Sequence, residues 1–147
     1  MRFLVIVKAN EQSEHESSPT DGNQQAFEDM NKFNEEMVKA GIMLAGEGLH
    51  PSSKGVRIRF DGPNRTVIDG PFAETKELIA GFWLLQVRSR DEAIEWIKRA
   101  PFDGGAEVEI RQIYEAEDFA AALTPELQAA EERLRAEIAT QQRQRQQ

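Results

Sequence analysis

The sequence predicts an α+β sandwich in which an antiparallel sheet carries two helices on one face. Short apolar runs rich in β-branched residues are interleaved with two segments whose apolar residues recur every three or four positions. Read along the chain, the order is strand, helix, strand with a hairpin, strand, helix, strand. That pattern fills residues 1–114, and 147 residues at 39% hydrophobic content suffice for a real core.

The elements follow in order. Phe3, Leu4, Val5, Ile6 and Val7 form a compact apolar run, read as a buried strand. Residues 10–25 are polar and turn-rich, with Ser17-Ser18-Pro19-Thr20-Asp21-Gly22, and read as a loop. Phe27, Met30, Phe33, Met37 and Val38 share one face of an amphipathic helix that Gly41 ends. Residues 42–49 return as a strand whose glycines, Gly46 and Gly48, permit a bulge or a close backbone approach. Val56, Ile58 and Phe60 alternate with Arg57 and Arg59, the pattern of a half-exposed strand. Asp61-Gly62-Pro63-Asn64 is a turn, and residues 66–68 pair back across it as a hairpin.

Residues 79–87 are the longest apolar run and are expected to form a central strand, with Phe82 and Trp83 on opposite faces. Ser89 and Glu92 have capping-box spacing, each able to serve the other's amide. The helix they start carries Ala93, Ile94, Trp96, Ile97 and Ala100 and stops at Pro101. A loop with Gly104-Gly105 leads to the last strand, residues 108–113. With the hairpin counted as an insertion, this order is that of a ferredoxin-like fold.

Residues 115–147 read as a helical extension. Thr124 is a natural N-cap with Pro125 at the first helical position. Leu127, Ala130, Leu134 and Ile138 make a narrow apolar stripe, suited to a partner chain or to the chain's own domain. Residues 141–147 are Gln and Arg only and read as a frayed or disordered tail.

Composition narrows the function classes. Eighteen basic against 26 acidic residues give a net charge of −8. Such a surface repels phosphate backbones, and there is no basic run, so no nucleic-acid partner is expected. The absence of cysteine excludes disulfides, thiolate nucleophiles and cysteine metal sites, and fits a reducing cytosol. The apolar start is too short for a signal-peptide core, and no stretch approaches the roughly 20 apolar residues of a membrane span. A cytoplasmic protein with no membrane partner is expected.

The densest chemistry lies in Asp69-Gly70-Pro71-Phe72-Ala73-Glu74-Thr75-Lys76-Glu77, between the hairpin and the central strand. Gly70 and Pro71 set a tight turn that can drive Phe72 inward. Asp69 either caps that turn or, if partly buried beside Phe72, serves as a general base. His50 follows the strand that carries Glu47 and can act as acid or orienter. Arg57 and Lys76 are candidate contacts for an anion, and Glu47, Phe72, Glu74 and Trp83 are candidate ligand contacts. His50 with scattered carboxylates is too sparse for a metal centre, so no metal is expected. The sequence has no phosphate loop, dinucleotide fingerprint, HExxH or nucleophile elbow, and no cofactor is expected.

Ala45-Gly46-Glu47-Gly48-Leu49, the nine-residue stretch from Asp69, Gly81-Phe82 and Asp91-Glu92-Ala93 together resemble the YCII-related family, in its DGPF-domain branch. The resemblance spans roughly residues 1–114. It implies a dimeric α+β barrel, in which the ferredoxin-like sheets of two copies face each other with a cleft near the interface. Some relatives look like muconolactone isomerase or dehalogenating enzymes and place a histidine early in the first helix. Here that helix reads Gln24-Gln25-Ala26-Phe27-Glu28, so their histidine is not carried over. The reading is a homodimer that binds a small organic molecule. Its alternatives are a cofactor-free enzyme acting on a small organic acid through Asp69 and His50, and an interaction module working through the C-terminal helix.

Overall fold

In a computed structural model that describes residues 1–15, 24–73, 77–102 and 104–147, the chain forms two units, Met1–Ile113 and Tyr114–Gln147. In the first, β1 (Arg2–Lys8) lies between β5 (Ile79–Gln86) and β6 (Val108–Gln112). β2 (Met43–Gly48) flanks β5, giving the order β2-β5-β1-β6 with every neighbouring pair antiparallel. Helix α2 (Gln24–Lys39) connects β1 to β2, and α3 (Arg90–Ile97) connects β5 to β6. This is the ferredoxin-like order that the sequence predicts. The hairpin of β3 (Val56–Asp61) and β4 (Asn64–Asp69) is a separate two-stranded sheet inserted between β2 and β5.

Strand register explains where the core sits. Phe3 pairs with Leu85 and Val5 with Trp83, and residues directly opposite each other share a face. That face receives Phe33 and Met37, one helical turn apart on α2, and Ala93 from α3. Both helices therefore cover the same side of the sheet. Phe3, Val5, Met37 and Leu85 are fully buried, each stabilising by about 1.5–3 kcal/mol.

Local chemistry fixes the element ends. After α2 the amides of Gly41 and Ile42 return to the carbonyls of Val38 (2.9 Å) and Met37 (3.1 Å), the Schellman pattern, with Gly41 at φ 74°. At α3 the amide of Glu92 donates to Ser89 Oγ (3.1 Å) as predicted, but the Glu92 carboxylate takes the amide of Arg88 (2.8 Å), one residue before the predicted partner. The segment predicted to be a loop contains one helical turn, α1 (Glu11–Glu14). Asn10 caps it by accepting from the amide of Ser13, whose hydroxyl accepts from the amide of Asn10. Residues 16–23 of that segment lie outside the described residues.

In the second unit Thr124 Oγ1 accepts from the amide of Leu127 (3.2 Å) at the start of α4 (Pro125–Arg145). The helix extends through residues predicted to fray: Gln and Arg are good helix formers, and Arg143 and Arg145 sit at the end where the helix dipole favours cations. Leu127, Leu134 and Ile138 are each more than half exposed. No described helix is long and apolar enough to cross a membrane.

Candidate functional site

Tethers between distant segments hold the turn at Gly70. A Cβ on Gly70 would stand 1.7 Å from the carbonyl oxygen of Ser52, so only glycine fits. The Gly70 amide donates to the Gly55 carbonyl (2.9 Å), and the Phe72 amide donates to Ser52 Oγ (3.1 Å). Ser52 in turn donates to Glu14: its amide lies 3.2 Å from both carboxylate oxygens, and its hydroxyl bonds Oε2. α1, the 3-10 turn Ser52–Lys54 and the Gly70 turn are thus one hydrogen-bonded assembly. Phe72 is half-buried and lies outside the core cluster, with the Arg57 guanidinium 3.9 Å from its ring centroid.

Beside this assembly lies a cleft of about 480 Å³. His50, Arg57 and Phe72 line it together with Glu14, while Leu49, Leu78 and Ile79 supply apolar wall. Three residues singled out from the sequence are thus brought together. Asp69 is exposed and does not line the cleft. It pairs with Val56 whereas Arg57 pairs with Ile68, so Asp69 and Arg57 project from opposite faces of the hairpin. His50 is exposed, and no hydrogen bond joins it to Asp69. Glu74 and Lys76 lie outside the described residues.

Glu47 and Trp83 line a different cavity, of about 240 Å³, between α2 and the sheet. Met30, Asn34, Gly46, Phe82 and Phe102 also line it. The Trp83 indole is nearly buried, edge-on to Phe33 (centroids 5.7 Å) and 6.0 Å from Phe102. Gly46 makes room for it: a Cβ there would meet Trp83 Cδ1 at 2.8 Å and Met43 Cε at 2.5 Å. Trp83 Nε1 donates to Asn34 Oδ1 (2.9 Å). An indole only donates, so the carboxamide oxygen is committed to Trp83 and the amide nitrogen is the polar group left over. Glu47, exposed, is the one ionisable residue among the described residues lining the cavity.

A profile of the YCII-related domain matches residues 1–117. The chain belongs to the YCII-related family. An uncharacterized protein of Rhizobium meliloti (strain 1021) is 28% identical over 96 residues, which are 65% of this chain and 77% of that protein. The structure of 5-chloro-2-hydroxyhydroquinone dehydrochlorinase (TftG) from Burkholderia phenoliruptrix AC1100, in complex with 2,5-dihydroxybenzoquinone, overlaps at 14% identity and a TM-score of 0.40. That overlap covers 80% of this chain and 98% of the other, and at this level carries no chemistry across.

Sequence reasoning missed three residues of this YCII-related chain: Glu14, Ser52 and Asn34. Glu14 reaches Ser52 across 38 positions, a separation that no local pattern signals. Asn34 follows the core residue Phe33, and the signal for it was the need of a buried tryptophan for an acceptor.

Proposed function

We propose that this YCII-related protein is a homodimer that binds a small, uncharged organic molecule in the cavity under α2. The observation that supports the reading is the wall of that cavity: three aromatic residues (Phe82, Trp83 and Phe102), one committed carboxamide and, among the described residues, no cation. About 240 Å³ is less than a drug-sized site but ample for one ring, since apolar cavities of about 150 Å³ already take up benzene. The Asn34 amide offers a donor to a carbonyl or ether oxygen, and Glu47 at the wall offers an acceptor to a hydroxyl. An anionic ligand would meet Glu47 with no compensating charge among the described lining residues.

A thermal-shift series with phenol, cyclohexanone and γ-butyrolactone tests this. At least one is expected to raise the melting temperature of the wild type and to lose that effect in Asn34→Leu with the fold intact by circular dichroism. No response to any of them sinks the reading. Support for the homodimer comes from the hairpin, which leaves Val56, Ile58, Phe60 and Val67 between 53% and 70% exposed. Sedimentation velocity at micromolar concentration is expected to give a dimer, weakened by Ile58→Lys; a wild-type monomer removes that part of the proposal. Asp69 and His50 as a base–acid pair form no part of it.

A further inference from the structure

The cleft at the root of the hairpin carries a second assignment, independent of the cavity under α2. We propose that it is a binding site for a small organic monoanion, whose carboxylate sits on the edge of the Arg57 guanidinium and whose apolar body lies against Leu49, Leu78 and Ile79.

The geometry of Arg57 is the first support. Its guanidinium carbon lies over the Phe72 ring, 3.9 Å from the centroid, a cation–π contact that consumes no hydrogen-bond acceptor. Among the described residues no hydrogen bond takes up its N–H donors, whose planar fork matches a carboxylate. No carboxylate pairs with Arg57 among the described residues, although the chain carries 26 acidic side chains. The stack also fixes the orientation of a side chain that would otherwise be floppy. Phe72 is itself held by its amide bond to Ser52, which Glu14 anchors.

The rest of the lining limits the ligand to a single negative charge. Arg57 and Lys54 are balanced by Glu14 and Glu77. The Glu14 carboxylate accepts from the amide and hydroxyl of Ser52 and, among the described residues, makes no ion pair with Arg57. Among the described lining residues, a second negative charge on the ligand would face both carboxylates with no further Lys or Arg to offset it. About 480 Å³ accommodates one ring with its carboxylate.

Calorimetric titration of the full chain tests the assignment with three probes: benzoate, its uncharged isostere benzamide, and sulfate as a dianion. Benzoate is expected to bind, with benzamide and sulfate at least about tenfold weaker. Arg57→Gln is expected to weaken benzoate by at least about tenfold, Arg57→Lys by less, and Asn34→Leu not at all. Circular dichroism confirms that each variant is folded. The proposal fails if benzoate shows no binding up to roughly 10 mM. It equally fails if benzamide or sulfate matches benzoate, if Arg57→Gln leaves benzoate binding intact, or if Asn34→Leu abolishes it. The last result would place the anion under α2.

Discussion

The cavity under α2 and the cleft at the root of the hairpin are built by opposite means. The first is a by-product of core packing: Trp83, packed edge-on to Phe33, and Phe102 meet at an angle beside the space, and Gly46 keeps a side chain out of it. The second is held open by hydrogen bonds among short segments far apart in sequence, Glu14 to Ser52 and Ser52 to Phe72. Packing is dense and cooperative, so a core cavity resists reshaping. Tethers act one at a time, so the cleft can be loosened without unfolding the sheet. The difference sets both the size and the reach of each substitution.

Trp83→Ala should have the largest effect. It removes a nearly buried indole from the core cluster and strips Asn34 of its donor. A loss of about 3–5 kcal/mol is expected, which for a chain of this length lowers the melting temperature by about 10 °C or more. Chemical denaturation gives the number. A loss under about 1 kcal/mol would mean that this region is not packing-built.

Gly70→Ala comes next, because the new methyl would stand 1.7 Å from the Ser52 carbonyl and the turn must give way. A cost of about 2–3 kcal/mol is expected, with the response to neutral ligands under α2 preserved. Loss of that response along with the turn would break the distinction between the two regions.

Glu14→Ala should cost less, about 1–2 kcal/mol, since Ser52 loses a charged acceptor at a partly exposed position and water can replace it. Its effect and that of Trp83→Ala should add to within about 0.5 kcal/mol, because the two share no contact partner. Strong non-additivity in a double-mutant cycle would show the regions to be coupled.

The same contrast explains what the sequence made legible. Periodicity finds whatever packs: the strands, α2, α3 and the opposite faces of Phe82 and Trp83 all follow from apolar spacing. The hairpin lies within a short stretch of chain, and Gly70 reads as a turn glycine, but what demands glycine is the close Ser52 carbonyl rather than a positive φ, and the sequence does not show that approach. The facing of Asp69 was also present in the sequence, since its parity relative to Arg57 depends only on hairpin register, but the register had first to be known. Glu14 could not have been found, because a tether between two loops leaves no periodic trace. α1 went unseen because a single turn without a buried residue has no apolar signature.

Two adjacent serines give the finest test. Ser52 Oγ both donates to Glu14 and accepts from the Phe72 amide, whereas Ser53 Oγ is buried with no hydrogen-bond partner among the described residues. An unpaired buried hydroxyl costs its desolvation without return. Ser53→Ala should therefore leave stability unchanged or raise it by up to about 1 kcal/mol, while Ser52→Ala should lower it by about 1–2 kcal/mol and loosen Phe72 beneath Arg57. Denaturation curves of the two variants, measured side by side, should move in opposite directions. If Ser53→Ala instead lowers stability by more than about 1 kcal/mol, its hydroxyl is held by an ordered water, and the turn has a tether beyond the Glu14–Ser52–Phe72 chain.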